Sequence, residues 1–259
     1  MTDIIETLFM GDEMPVPEFR DHNSHAGYRL NSKGYRCDEF DRRKDINVVS
    51  VGCSNTFGWG LKDEDRFSYV FVKLLSEHTR KTVQDWNIGE PAKSNDCIAR
   101  QVLNAKRILK PDIMLICFTD VGRREYFGIE YNVKQQTGCF DWVPGEFPEG
   151  VKKHKPHFMP YAQRFYGLSS PFDDQVNLFK NLLLISRALD DTPWLFATFC
   201  EENPEVLKRF QKWHVGGFPV GDKASDGLHP GPESNRKLAN KFFNRYKNVY
   251  LAKNSVAQL

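Results

Sequence analysis

Ile46-Asn47-Val48-Val49-Ser50-Val51-Gly52-Cys53-Ser54-Asn55-Thr56-Phe57-Gly58 decides the fold of this chain. A continuous apolar, β-branched run reads as a strand buried on both faces. It stops at Gly52, and a serine follows two residues later. A buried strand that ends in this way delivers a hydroxyl to the rim of a sheet. A serine hydroxyl is a weak nucleophile until a base removes its proton. The question for the rest of the sequence is therefore whether a histidine can reach Ser54.

Downstream the same grammar repeats. Phe67, Val70, Phe71, Leu74 and Leu75 recur at helical spacing within 66–78. Thr82–Ile88 is a second strand, ending at Gly89. Ser94–Leu109 is a helix with Ile98, Val102, Ala105 and Leu109 on one face and Ser94 as its cap. Asp112–Phe118 is a third apolar strand. Val176–Leu189 reads as a helix, Pro193–Phe199 as a fourth strand, Pro204–Trp213 as a short helix and Glu233–Tyr246 as a last helix. Alternating strands and helices predict an α/β fold, a three-layer α/β/α sandwich around a central, mostly parallel sheet. In such a sheet the carboxyl ends of the strands share one edge, where ligands bind. Ser54, Gly89 and Thr119-Asp120 each follow a strand directly and fall on that edge.

Residues 1–44 are polar and hold Pro15, Pro17, Gly27 and Gly34, which reads as an irregular N-terminal arm. Residues 45–259 form the domain. Within it, about 121–172 breaks the alternation; this insertion is dense in aromatics, among them Tyr126, Trp142, Tyr161 and Phe172. Its two readings are a miniature core or subunit contact, and an aromatic cleft for a sugar or acyl chain.

Composition narrows the function. The chain has 259 residues and a formal net charge of +2 with its basic residues scattered, so nucleic acid is not an expected partner. No apolar run approaches the length of a membrane span, and Met1–Glu6 lacks the pattern of a signal peptide. A cytoplasmic protein is expected, and a viral or phage product would read the same. None of the six cysteines forms a C-x-x-C pair, so all are expected reduced and no zinc site is expected. His154 and His157 lack accompanying carboxylates, and no cofactor motif occurs.

A histidine candidate lies near the end, in Asp226-Gly227-Leu228-His229. A catalytic histidine needs an acceptor on Nδ1 to fix its tautomer. A tight turn through Gly227 lets Asp226 supply one. Charged residues just past the third strand, Arg123, Arg124 and Glu125, can hold an anionic substrate group; the alternative is mutual pairing that braces the loop.

The pairing of Gly52-Cys53-Ser54-Asn55-Thr56-Phe57-Gly58 with Asp226-Gly227-Leu228-His229 resembles the SGNH hydrolase (GDSL-like esterase) family. There the first block usually reads G-D-S-x-T-x-G and the last D-x-x-H. Asn87-Ile88-Gly89, with Lys93-Ser94-Asn95-Asp96 beyond it, is similar to the second block. Leu30-Asn31-Ser32-Lys33-Gly34-Tyr35-Arg36 is similar to a lead-in found before some such domains. The resemblance spans about 45–246 and implies a flavodoxin-like fold and a serine esterase acting through an acyl-enzyme, with an O-acetyl group on a carbohydrate as one substrate. Ser54 would be the nucleophile, His229 the base and Asp226 its orienting carboxylate. The amides of Ser54 and Gly89, with Thr119, would form the oxyanion hole, and Asn55, Asn95, Asp120 and Arg123 would contact substrate. Two positions depart from the pattern. Cys53 replaces the usual aspartate. Cys117-Phe118-Thr119-Asp120 replaces G-x-N-D, so a threonine stands where the family has an oxyanion-binding asparagine. That loss motivates one alternative, an inactive binding or structural module with the same fold; a second, an O-acyltransferase, uses the same triad and reads the same in sequence.

Overall fold

The computed structural model describes residues 13–14, 27–41, 43–125, 139–140, 170–199 and 204–251. In chain order its elements are β1 (Ile46–Gly52), α1 (Ser54–Phe57), α2 (Phe67–Thr79), β2 (Val83–Asn87), α3 (Asn95–Leu109), β3 (Ile113–Phe118), β4 (Arg124–Glu125), β5 (Cys139–Phe140), α4 (Pro171–Ala188), β6 (Trp194–Thr198), α5 (Pro204–Lys208), β7 (His214–Gly217) and α6 (Pro232–Tyr246). The strands β2-β1-β3-β6-β7 form one all-parallel sheet in that order. β4 and β5 pair separately as a two-stranded antiparallel ribbon.

Strand alternation builds two cores. Val49, Val51, Trp86, Met114, Ile116 and Phe196 pack on one face against Ile98 and Val102 of α3 and Leu178 and Leu182 of α4. Val48, Leu115, Leu195 and Ala197 pack on the other against Phe67, Phe71 and Leu75 of α2 and Leu238 and Phe242 of α6. The three-layer sandwich expected from the sequence is the architecture observed. Its strand order reverses direction at β1: β2 lies to one side, β3 and the rest to the other. A crevice opens at such a switch point above the strand ends, and Ser54 directly follows β1 there.

Three local differences from the sequence reading have physical causes. The helix expected from Pro204 ends at Lys208, and a fifth strand, β7, follows it. With only four residues and two glycines, β7 carries almost no intrinsic strand signal; its pairing with β6 makes it. α4 begins at Pro171, five residues before the expected Val176. A capping box between Ser170 and Asp173 starts it, with Pro171 in its first turn. And 27–41, though without helix or strand, is not peripheral, since Tyr35 and Cys37 are buried in the core with Met14. Cys37, Cys53, Cys97 and Cys117 are free and buried. His154, His157, Cys200 and nearly all of the aromatic insertion lie outside the described residues. Among the described residues no helix is long and apolar enough to cross a membrane.

Candidate active site

The glycines at the carboxyl ends of β1 and β2 explain how a serine comes to stand on the rim. A Cβ on Gly52 would lie 2.1 Å from Thr56 Oγ1 and 2.7 Å from the Cys117 carbonyl oxygen. A Cβ on Gly89 would lie 2.6 Å from the Phe57 amide nitrogen. Gly52 ends β1 and Gly89 lies two residues past β2; both are glycine because the one-turn helix α1 sits directly on them. Gly89→Ala is therefore expected to lower stability by about 1–3 kcal/mol, because backbone has to move. The midpoint of urea unfolding, at unchanged slope, measures it.

Ser54 is the first residue of α1, with Cys53 in extended conformation before it and Gly58 left-handed (φ 82) at the far end. Its Oγ lies 2.9 Å from His229 Nε2. His229 Nδ1 in turn lies 2.5 Å from Asp226 Oδ2. The other carboxylate oxygen of Asp226 accepts from the amides of Leu228 and His229 at 3.0 and 3.1 Å, which closes the tight turn through Gly227 (φ 70). Burial raises the Asp226 carboxyl, but the bonds from the His229 ring and from these two amides outweigh it, so its pKa falls below the ordinary value. Asp226 is an anion at neutral pH. Residues 175 positions apart in the chain thus form one hydrogen-bonded line, Ser54–His229–Asp226.

The serine thus stands at the end of β1 in a five-stranded all-parallel sheet, and the Asp226–His229 turn lies just before the last helix, α6. No protein-family model matches the chain, and no curated protein does. Among solved structures it is similar to TesA, at 12% identity over 78% of this chain and 99% of that one, with a TM-score of 0.45. It is similar to the family 3 carbohydrate esterase of Clostridium thermocellum at 13% identity, over 80% of this chain and 98% of that one, with a TM-score of 0.47. The psychrotrophic esterase EstA from Pseudoalteromonas sp. is 10% identical over 79% and 98% of the two chains, with a TM-score of 0.44.

The remaining residues expected at the site divide. Thr119 is buried on the rim, and its hydroxyl has no partner among the described residues. Ser54's own amide is likewise without a partner among them. The Gly89 amide, by contrast, donates to Asn87 Oδ1 at 2.9 Å. The amide that the resemblance made an oxyanion donor is thus engaged within its own loop, and close packing under α1 requires a glycine there. Asn95 is also engaged. It is 1% exposed; its Oδ1 accepts from the Thr119 amide at 2.9 Å, and its Nδ2 faces the carbonyls of Thr119 and Asp120 at 3.3 and 3.4 Å. These bonds make Asn95 fix the loop that carries Thr119. Asp120 accepts from the Gly122 amide through Oδ1, and its carbonyl accepts from the Arg123 amide, so both residues shape the turn after β3. Asn55 is 7% exposed, and its Nδ2 reaches Cys53 Sγ at 3.8 Å. Arg124 and Glu125 do not pair with one another: Arg124 holds Asp174 at 2.6 Å, and Glu125 holds Arg100 at 2.5 Å.

Two features of the site escaped the sequence reading. Trp59 lies beside the imidazole, with ring centroids 6.4 Å apart. Ala92, in the loop between β2 and α3, is held in the left-handed region (φ 63), and its amide has no partner among the described residues. Non-glycine residues so held cost on the order of 1–3 kcal/mol and cluster at functional sites.

Proposed function

We propose that this protein is a serine esterase. The observation that carries the reading is the 2.9 Å approach of His229 Nε2 to Ser54 Oγ, with Asp226 on the opposite ring nitrogen. In the proposed reaction Ser54 Oγ attacks the ester carbonyl carbon while its proton passes to His229 Nε2. The tetrahedral oxyanion collapses, the C–O bond to the alcohol breaks, and that oxygen takes the proton from His229. Water then attacks the acyl-Ser54 ester, gives its proton to His229, and releases the acid as Ser54 recovers its proton.

The oxyanion has candidate donors among rim groups that carry no other partner among the described residues: the Ser54 amide, the Ala92 amide and the Thr119 hydroxyl. Thr119→Val keeps the shape and removes the hydroxyl. It is expected to lower kcat by about 100-fold, with KM and thermal stability little changed; unchanged kcat would remove Thr119 from the reaction.

The test of the reading has two arms. A fluorophosphonate should label the protein stoichiometrically, with peptide mapping placing the adduct on Ser54. Short-chain p-nitrophenyl esters and an O-acetylated sugar should be hydrolysed. No labelling and no turnover would favour a binding module that keeps the fold, and acyl transfer to an added sugar in preference to water would favour a transferase.

A further inference from the structure

The lead-in Asn31-Ser32-Lys33-Gly34-Tyr35-Arg36 lies outside the sheet and its helices, yet its last side chain reaches the nucleophile's loop. Asn31 Oδ1 accepts from the amides of Lys33 and Tyr35 at 3.1 and 2.9 Å, and its backbone closes the same turn on Tyr35 and Gly34. Gly34 takes the left-handed conformation (φ 94) that the turn requires. Tyr35, 1% exposed, anchors the turn in the core. Arg36 then points inward and is 2% exposed.

Its guanidinium donates to a row of carbonyls. Nη1 bonds Gly58 O at 2.6 Å and Phe57 O at 3.2 Å, Nη2 bonds Leu61 O at 2.7 Å, and Nε bonds Asp63 Oδ1 at 2.9 Å. The plane stacks on Tyr28, 4.2 Å from its centroid. Phe57 and Gly58 are where α1 ends, so their carbonyls are among those that helix termination leaves unpaired. A helix of one turn has no stability of its own; α1, and with it Ser54, is held by partners outside it, Arg36 at its end and Asn87 Nδ2 on the Thr56 carbonyl at 2.6 Å.

The same segment reaches the other side of the site. The Gly60 amide donates to Tyr28 Oη at 2.7 Å. Gly60 O accepts from Ser225 Oγ at 2.8 Å and from the Ser225 amide at 3.2 Å, one residue before Asp226. Gly60 is left-handed (φ 73), and a Cβ there would meet the Asp226 amide at 3.2 Å. Phe57–Leu61 is thus a strap between the serine and the aspartate–histidine turn, and the lead-in holds that strap.

We propose that Arg36 is a positioning residue for the reaction at Ser54, acting through the strap Phe57–Leu61 to keep serine and histidine in register. This rests on the reading of Ser54 as nucleophile. Arginine is needed because its rigid fork spans Gly58 O, Leu61 O and Asp63 at once, which a single ammonium cannot do. A shift of about 1 Å in such a pair can cost about 100-fold in rate.

Arg36→Met and Arg36→Lys in the full chain test it, assayed well below their melting temperatures. Expected are a fall of about 100-fold in kcat and in the rate of Ser54 labelling with KM nearly unchanged, no rescue by lysine, and partial rescue of Arg36→Ala by guanidinium but not sodium chloride. Should the Arg36 variants fail to fold, Tyr28→Phe removes the bond to Gly60 while keeping the ring, and is expected to lower kcat several-fold. Amide hydrogen exchange supplies a readout independent of activity. Residues 54–61 should exchange faster in Arg36→Met, or in Tyr28→Phe where that replaces it, while α3 and α4 keep wild-type protection. A folded variant with wild-type labelling rate, or with unchanged exchange at 54–61, overturns the proposal. A wild type that is never labelled overturns the esterase reading instead, and the exchange result then decides on the strap alone.

Discussion

Ser54→Ala is expected to abolish fluorophosphonate labelling and to lower ester turnover by about 10,000-fold or more, as loss of a triad serine does elsewhere. The size of the effect follows from how little else the side chain does. Among the described residues its Oγ has one partner, His229 Nε2. It caps nothing, since Cys53 precedes α1 and no side chain closes that end. Alanine keeps the backbone amide and favours the helix, so the fold should survive with its melting temperature nearly unchanged, and circular dichroism alongside steady-state kinetics makes that comparison. The neighbouring thiol cannot take over. Cys53 is 1% exposed, and its Sγ faces Asn55 Nδ2 at 3.8 Å. Turnover that survives Ser54→Ala at the wild-type rate would therefore locate the chemistry in a different site.

That effect was legible in the sequence because the features behind it are local. An apolar run that ends at a glycine states both a strand and its end, and four residues, Asp226 to His229, state a turn that lets a carboxylate reach a ring. Four further positions depend on contacts the chain order does not display. The Gly89 amide is taken by a side chain only two residues away, yet whether Asn87 turns back depends on its Nδ2 bonding the Thr56 carbonyl, 31 positions upstream, at 2.6 Å. Asn95 looks exposed in sequence, at a helix start on the rim, and is instead fully engaged with the backbone after β3. Arg124 and Glu125 invite pairing by adjacency, but adjacent residues on a strand point to opposite faces, so each finds its own partner on a helix, Asp174 on α4 and Arg100 on α3. β7 is the same lesson for the fold: its neighbour makes it a strand, and its composition does not.

Asp226→Asn is expected to lower kcat by about 10,000-fold while leaving KM and stability close to wild type. The two oxygens of Asp226 have separable duties. Oδ1 accepts from the amides of Leu228 and His229 and so builds the turn. An asparagine carbonyl can do the same, which keeps the loop and Gly60 packed against it. Oδ2 faces His229 Nδ1 at 2.5 Å. As a carboxylate it can only accept, so Nδ1 must carry a proton, and in the neutral ring Nε2 is then left bare toward Ser54 Oγ, ready to take its proton. An asparagine Nδ2 in that place can only donate. It favours the opposite tautomer, with the proton on Nε2, where it blocks the base from the serine. It also removes the negative charge that stabilises the imidazolium formed during attack. The lowered pKa of Asp226 gives the same dependence a pH form. A carboxylate depressed in the folded state contributes its stabilisation at pH above its unfolded value, and that contribution is lost as pH falls through the folded one. Protonation of Asp226 in acid should therefore remove that stabilisation from the wild type, and the midpoint of urea unfolding should fall with it. Kinetics at neutral pH, with the imidazole proton resonances of the two proteins compared, check the argument. An Asp226→Asn protein with wild-type kcat, or with Nδ1 still carrying the proton, would show that His229 is oriented by something other than this carboxylate.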